Sequence, residues 1–330
     1  MTGEKIRWGI LGCGKIAAKF AEDLRFVADA SLAAIASRDL QKAVEFAGKF
    51  SIPAIFNSYE AMASSDDVDV IYIATPHGFH YEHALLCLGN RKAVLCEKAF
   101  ALNRRQAQEM IDVARQQKVF IMEAFWTKFI PQYQKVTEII RSGEIGEIKW
   151  IEADFGFQAP EPPAQRLYDP ALGGGSLLDI GIYPVFLAQS LLGKPSGISA
   201  SITPYSTGVD EQCAMALTFE GGAIASLSST FAAETPVEAV IAGTKGRIYL
   251  RERFHNAICR IELAFGKDAP KPIEVHREEG YGYQFEARHV NECLKKGLTE
   301  SPVMTHADTL MLMETLDRIR QVCGIRYAVD

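Results

Sequence analysis

Cysteine is sparse and unordered in this chain. Seven thiols stand at positions 13, 87, 96, 213, 259, 293 and 323, an odd number with no C-x-x-C pair, and several lie inside apolar segments. That pattern argues against a disulfide framework and predicts reduced, mostly buried thiols in a cytoplasmic protein. No cluster of Cys and His has the spacing of a zinc site, so no metal is expected. Positive charge is in the minority: 35 Lys and Arg oppose 41 Asp and Glu, for a net charge of −6. With no long basic run to neutralise phosphates, a general nucleic-acid binder is excluded and a membrane-surface partner is disfavoured. Long apolar runs are missing too: no stretch approaches the ~18 uninterrupted apolar residues that a membrane span needs. The opening MTGEKIRWGILGCG has glycine-turn chemistry rather than the cleavage site of a secretory leader. Internal repeats and low-complexity tracts are absent.

What is present is ordinary globular composition, 48% hydrophobic and 23% charged, over 330 residues, a length that suits two domains. Apolar runs at 6–11, 31–37, 68–75, 92–97 and 118–122 read as strands. Helical patterns separate them, one led by Ile16, Ala17, Phe20 and Leu24, another over 80–89, a third marked by Ala107, Met110, Ile111 and Ala114. Asp39 and Asn103 stand where helix caps belong, Asn103 with Gln106 as a capping box. Strands alternating with helices predict a parallel sheet, and right-handed crossovers lead to the doubly wound Rossmann order.

The pattern changes after about residue 123. A helix over roughly 130–142 is followed by strand-like runs at 146–157, 197–205, 212–220, 223–231, 236–242 and 247–250. Gly221-Gly222 makes a tight hairpin, so this sheet is expected to be mostly antiparallel. One helix over 174–192 interrupts it, and two more close the chain, the last with Leu312, Leu316, Ile319 and Val322 on its apolar face. The expectation is an α/β protein: a Rossmann domain over 1–122 and an α+β domain over 123–330.

The strongest chemical signal is Gly9-Ile-Leu-Gly12-Cys-Gly14-Lys-Ile-Ala17, a G-x-G-x-x-A between strand and helix. Gly12 permits the tight turn, Gly14 lets the backbone approach a pyrophosphate, and Ala17 lets helix and strand pack closely. Cys13, Lys15 and Ile16 complete a turn whose helix N-terminus faces phosphate charge. At the end of the second strand an NAD enzyme usually places Asp or Glu against the ribose 2′-hydroxyl; here Ser37-Arg38 stand instead. A hydroxyl and a guanidinium suit a 2′-phosphate, so NADP(H) is preferred and NAD(H) remains possible. The alternative makes Arg38 a solvated partner of Asp39.

These motifs, with Thr75-Pro76-His77-x-x-His80, Cys96-Glu97-Lys98 and Gly173-Gly174-Gly175-Ser176-Leu177-Leu178-Asp179-Ile180-Gly181-Ile182-Tyr183, resemble the Gfo/Idh/MocA oxidoreductase family over the whole chain. Glu123-Ala-Phe-Trp126-Thr and the Asp-x-Gly-x-Tyr ending are most similar to its branch of dimeric dihydrodiol dehydrogenases and NADP-dependent D-xylose dehydrogenases. The resemblance implies hydride transfer between the nicotinamide and a secondary hydroxyl or carbonyl of a sugar or cyclic vicinal diol, in a homodimer paired through the open face of the second sheet. It implies that Lys98, at the carboxyl edge of a parallel strand beside Glu97, reaches the nicotinamide and the reacting hydroxyl; the alternative is a surface ion pair. The family usually has proline after this lysine, and here Ala99 follows.

Tyr183 stands where many members have histidine. A phenol near pKa ~10 donates poorly at neutral pH, and a nearby ammonium lowers that value, so Lys98 is expected to activate Tyr183 as the acid/base. The alternative is a core tyrosine. Asp179, four residues earlier on a shared helical face, either orients that pair or caps the glycine-rich turn. Thr75 ends the run at 68–75 and Pro76, His77 and His80 follow it, His80 either lining the nicotinamide ribose or capping a helix. By resemblance Trp126 and Phe155 wall the substrate, and Arg166 either holds a substrate hydroxyl or is exposed. Two rivals share the fold: a glycoside-cleaving enzyme with tightly held NAD, and a non-enzymatic dinucleotide-sensing regulator. The regulator typically loses the lysine or the acid/base, and both are kept here.

Overall fold

A computed structural model describes residues 5–160 and 165–330; the first four residues of the opening segment read above, and 161–164, lie outside them. In chain order the elements are β1 (Ile6–Leu11), α1 (Lys15–Leu24), β2 (Ala30–Ala36), α2 (Leu40–Phe50), β3 (Ala54–Phe56), α3 (Tyr59–Ser64), β4 (Val70–Ile73), α4 (His80–Gly89), β5 (Ala93–Glu97), α5 (Arg104–Gln117) and β6 (Ile121–Ala124). There follow α6 (Pro131–Arg141), β7 (Ile148–Gly156), α7 (Gln165–Tyr168), α8 (Ile182–Leu192), β8 (Gly197–Pro204), β9 (Asp210–Thr218), β10 (Ile224–Thr230), β11 (Ala239–Gly243), β12 (Gly246–Arg251), β13 (Arg260–Phe265), β14 (Lys271–Ile273), α9 (Tyr283–Lys295) and α10 (His306–Cys323).

The chain forms two units: residues 1–126 with 278–310, and residues 127–277 with 311–330. In the first, six strands run parallel in the order β3-β2-β1-β4-β5-β6, the doubly wound arrangement expected from the alternating pattern. All four residues of β4 are buried, which is why that run is continuously apolar. Asp39 caps α2 through the Lys42 N–H at 3.2 Å, and Asn103 caps α5 through the Gln106 N–H at 3.0 Å. Gln106 Oε1 also accepts from the Leu102 N–H at 3.2 Å.

Residues 278–310 join this unit through buried polar bonds. Asp23, at the end of α1, accepts the backbone N–H groups of Tyr281, Gly282 and Tyr283 at 2.8–2.9 Å. It thereby caps α9, whose own N-cap, Gly282, has no side chain to do so. Gly280, at φ +112°, must be glycine, since a Cβ there would meet Asp23 Oδ1 at 2.7 Å. The Trp8 indole donates to Asn291 Oδ1 at 3.0 Å.

In the second unit eight strands lie in the order β14-β13-β12-β11-β7-β10-β9-β8, antiparallel at every pairing except β7 with β10. α8 and the turn before it cover one face. They account for the stretch Pro170–Leu192, long and apolar enough to cross a bilayer, 89% of whose apolar window is buried within the protein. Along β7 and β10 the other face alternates outward, with Trp150 41% and Ile224 38% exposed beside Glu152 and Ser226.

The short strands β3 and β14, and β13, escape the sequence reading; β3 and β14 are edge strands of three residues, too brief for periodicity to mark. The last strand of the first sheet lies at Ile121–Ala124 rather than 118–122. On α10, Leu312, Leu316 and Ile319 are buried as expected, but Val322 is 53% exposed in the final turn, so the apolar face ends at Ile319.

Candidate active site

The glycine turn of the first unit is built for close backbone approach. Gly12 has φ +105°, and a Cβ there would press on the Ala74 carbonyl oxygen at 3.1 Å. Gly14 opens α1 in an extended conformation with no side-chain cap, and nothing lies within 4 Å of where its Cβ would stand. Ala17 is fully buried against the sheet, while Lys15 is exposed and Cys13 and Ile16 are partly so. An uncapped helix N-terminus beside open backbone fits a pyrophosphate. The cradle therefore suits a dinucleotide on this chain's own geometry.

At the end of β2, Ser37 is buried and its Oγ accepts the Asp39 N–H at 3.2 Å. Asp39 pairs with Lys42 at 3.4 Å while capping α2. The exposed Arg38 guanidinium instead lies over the Phe79 ring, 5.2 Å from its centroid. Around it a cleft is lined by Asn57, Ser58, Tyr59, Glu60, Glu82, His83 and Leu86. Tyr59 and His83 meet edge to face at 4.7 Å. Burial holds the His83 imidazole down to about 4, so it is neutral, with Nδ1 3.0 Å from Thr75 Oγ1. Arg38 thus faces this cleft from the end of β2, together with the carboxylates of Glu60 and Glu82.

Pro76 precedes a 3-10 turn, His77–Phe79, that leads into α4. His77 is buried edge-to-face on His80 at 5.6 Å. His80 is wholly buried between two carbonyl oxygens, Ala99 O 2.8 Å from Nδ1 and Thr75 O 2.7 Å from Nε2. Burial lowers its pKa to about 4, so the two carbonyls compete for a single N–H. The ring straps the turn after β4 to the turn after β5, and its whole surface is enclosed by protein.

Lys98 is partly exposed at the carboxyl edge of β5, and the Lys98–Ala99 peptide bond is cis. Glu97 turns the other way: it accepts a short hydrogen bond from the Tyr72 hydroxyl. Tyr72 pairs in register with Leu95, which puts Tyr72 and Glu97 on one face. There Phe20 stacks on Tyr72 at 3.8 Å, and Glu286 of α9 is buried, its pKa raised by burial and then by Glu97. Glu123, in register with Cys96, lies on the opposite face. It is 1% exposed, and burial pushes its carboxyl up to about 7, against the pull of Thr309, the Phe100 N–H and Lys98. Trp126 is buried and stacks on Tyr283 at 4.7 Å and 11°.

In the second unit Asp210 builds the glycine-rich segment. Its Oδ2 accepts from Ser176 Oγ at 2.7 Å and from the Leu177 N–H at 2.6 Å. Gly175, at φ +117°, leaves room for that carboxylate, and the Tyr327 hydroxyl donates to the Gly174 carbonyl at 2.7 Å. Asp210 is fully buried, which raises its pKa to about 6. The chain then makes one turn of π-helix over Leu177–Gly181 before entering α8, so Asp179 and Tyr183 do not follow simple α-helical spacing. Asp179 receives a two-pronged grip from Arg166, at 3.0 and 3.1 Å. Two residues singled out separately therefore pair with each other. Tyr183 is buried with its ring 5.7 Å from Phe155 and 4.6 Å from His255, and Phe155 stacks on His255 at 4.5 Å. Neither His255 nor Asp210 carries a sequence motif; each reaches the segment from a distant strand or loop. Among the described residues no group of three His, Cys, Asp or Glu is arranged for a metal.

Residues 6–125 match the family described as "Oxidoreductase family, NAD-binding Rossmann fold", and residues 133–249 match the "GFO/IDH/MocA C-terminal domain". The trans-1,2-dihydrobenzene-1,2-diol dehydrogenase of Xenopus tropicalis is 40% identical over 332 residues, covering 97% of this chain and 99% of that protein. The mouse protein of the same name (Mus musculus) is 38% identical over 335 residues, at 98% and 99% coverage. Among solved structures, a 3-ketoreductase from Actinomadura kijaniata in complex with NADP and TDP-benzene superposes with a TM-score of 0.85 at 27% identity, over 97% of this chain and 98% of that one. The aldose-aldose oxidoreductase from Caulobacter crescentus complexed with glycerol shares the fold, with a TM-score of 0.89 at 23% identity and the same coverage. Matched in both halves and paralleled end to end by these relatives, the chain belongs to the Gfo/Idh/MocA family of oxidoreductases.

Proposed function

We infer that the protein is an NADP(H)-dependent dehydrogenase acting on a secondary hydroxyl of an unphosphorylated sugar or a cyclic vicinal diol, or on the matching carbonyl in reverse. The relatives named for a dihydrodiol and the ketoreductase solved with NADP support this reading. The observation that carries it is Tyr183 itself, a phenol lodged among the rings of Phe155 and His255, where a carbinol's C–H face finds apolar contact and its oxygen a proton partner. When bound, the nicotinamide dinucleotide supplies or accepts the hydride.

Tyr183 takes the proton from the substrate oxygen during oxidation and returns it during reduction. The family resemblance assigns Lys98 to the same step, its charge favouring phenolate over phenol. Solved variants of the A. kijaniata enzyme include a tyrosine replaced by phenylalanine and a lysine replaced by alanine, the same two side-chain types. Gly12, Cys13, Gly14, Lys15 and Ile16 hold the pyrophosphate. Ser37 and Arg38 hold the 2′-phosphate, and Thr75, Pro76 and His77 line the nicotinamide end. His80 and Glu97 serve as buried supports. Trp126 and Phe155 wall the substrate, and Arg166 orients Asp179. By the same resemblance the open face bearing Trp150 and Ile224 pairs two copies; sedimentation should give a dimer, and Trp150→Glu should yield monomers.

The test is kcat/KM for D-xylose, a cyclic trans-diol, a monohydric alcohol and a sugar phosphate, with NADP and with NAD. Sugar or diol with NADP should lead. Preference for the sugar phosphate, or equal use of both dinucleotides, overturns the reading.

A further inference from the structure

The run Gly173-Gly174-Gly175 makes a turn that other residues would resist. Gly173 and Gly175 stand at φ +74° and +117°, and a Cβ on Gly174 would lie 2.8 Å from both Asp169 N and Leu167 O. The same glycines give the chain little stiffness of its own. Whatever fixes the residues after them must come from outside the run. Asp210 supplies part of it, by holding Ser176 Oγ and the Leu177 N–H. The Gly174 and Gly175 N–H groups are anchored on Asp169 O at 2.9 Å and Leu167 O at 2.8 Å. The Gly174 carbonyl is held by Tyr327, whose hydroxyl donates to it at 2.7 Å.

Tyr327, which follows α10, is itself clamped. Arg320, 3% exposed, lays its guanidinium over the Tyr327 ring, 5.0 Å from the centroid. That guanidinium grips the Asp330 carboxylate at 2.6 and 3.2 Å and Asp317 at 2.6 Å. Asp330 Oδ2 also accepts the Tyr327 N–H at 2.9 Å. Burying a guanidinium costs desolvation that good paired geometry must offset, and here the pairing ends on one ring. For packing alone phenylalanine would fill the same space. The hydroxyl adds one bond, and that bond ends on the glycine run. Burial, and then the Asp210 carboxylate, push the phenol's pKa up, so its hydrogen is always present to be donated.

We propose that Tyr327 is a positioning residue for the reaction: through the Gly174 carbonyl it fixes where the π-helical turn begins, and hence where Tyr183 stands. This rests on the reading of Tyr183 as the proton-transfer group. The Asp179 N–H closes on Gly175 O at 3.2 Å, so the turn that delivers Asp179 and Tyr183 starts one residue after the carbonyl that Tyr327 holds. The far end of that turn is tightly packed: a Cβ on Gly181 would stand 2.8 Å from Ser229 Oγ, which is itself 2.9 Å from Ser176 Oγ. A slip at Gly174 is therefore passed along to Tyr183 instead of being absorbed on the way. Displacing a reacting group by about 1 Å costs on the order of 10²-fold in rate, even when the cause lies away from the chemistry.

The experiment is a double-mutant cycle of Tyr327→Phe with Tyr183→Phe. The readout is the single-turnover rate of hydride transfer to NADP from D-xylose or trans-cyclohexane-1,2-diol, whichever wild type oxidises faster. NADPH binding stoichiometry counts the folded enzyme in each sample. Tyr327→Phe should slow transfer about 10–100-fold, with NADPH affinity and substrate KM within about twofold of wild type. In the Tyr183→Phe background the same change should cost less than about twofold, because the group it positions is gone. Tyr133→Phe strips a hydroxyl that donates to Ser190 Oγ at 2.6 Å in the same unit, and should leave the rate unchanged. A native rate in Tyr327→Phe overturns the proposal and leaves the reading of Tyr183 standing. So do losses that multiply in the double variant, or a loss as large in Tyr133→Phe. A native rate in Tyr183→Phe sinks that reading and the proposal with it, as does a wild type that oxidises neither compound.

Discussion

Replacing Glu123 by glutamine should stabilise the protein, and by an amount that depends on pH. The carboxyl is 1% exposed, and burial lifts it from its ordinary value near 4.5 to about 7. A raised carboxyl pKa means that the folded chain holds the proton more tightly than the unfolded chain does. Between pH 4.5 and 7 the unfolded state has lost the proton while the folded state keeps it, so stability falls as pH rises through that window. Above about pH 7 the folded chain ionises as well, and the penalty stops growing. At 1.36 kcal/mol per decade of proton affinity, the gap between 4.5 and about 7 amounts to about 3 kcal/mol. Glutamine has nearly the same shape and no charge at any pH. Guanidinium unfolding, followed by tryptophan emission, suits the assay because Trp8 and Trp126 both lie in the first unit. The stability difference between Glu123→Gln and wild type should be near zero at pH 4.5 and rise to about 3 kcal/mol by pH 8. A difference that stays flat across that range would refute the reasoning, and one that falls would reverse its sign.

The other expectations are more direct. Arg38→Ala should weaken NADPH binding about 10–100-fold and leave NADH nearly unchanged, the loss of one charge-assisted contact; equal losses for both dinucleotides would remove Arg38 from the 2′-phosphate. Tyr183→Phe should lower turnover by about 10²–10⁴ with dinucleotide affinity intact, in single-turnover and fluorescence measurements. Asp23→Asn weakens the capture of three backbone N–H groups and should cost about 1.5–3 kcal/mol in the same unfolding assay. Burial raises the pKa of every cysteine thiol, and Cys13 and Cys323 alone are not buried. A thiol reagent at neutral pH should therefore modify at most those two in the native protein, and bound dinucleotide should shield Cys13.

The parts of the fold that could be read from sequence are those whose cause is local. β4 is legible because burial on both faces forces four apolar residues in a row, and Gly12 because no other residue tolerates φ +105° against the Ala74 carbonyl. Arg38 stands out because Ser37-Arg38 replace the acid usual at the end of the second strand. Distant partners leave no such mark. Arg166 and Asp179 each drew notice, but that they grip one another depends on how the glycine-rich turn delivers its π-helical step. Asp210 and His255 have neighbours in sequence that say nothing of Ser176 or Tyr183. Similarly, nothing local marks residues 278–310 as belonging with α1; that allegiance rests on Asp23 and Trp8, more than 250 positions away.

That last arrangement bears on how the protein is made. The six strands of the first sheet are complete once Ala124 has been synthesised, yet the groups that satisfy Asp23 and Trp8 begin at Tyr281. At the usual ~5–20 residues per second, roughly ten to thirty seconds separate the two events. Through that interval a nascent dinucleotide-binding sheet waits with a carboxylate and an indole N–H on a face that α9 has yet to cover. The first unit is therefore the first to begin folding, but its chain is not complete until residues 127–277, which belong to the second, have been made. A fragment ending at Trp126 would keep the glycine turn and lose the surface on which α1 comes to rest.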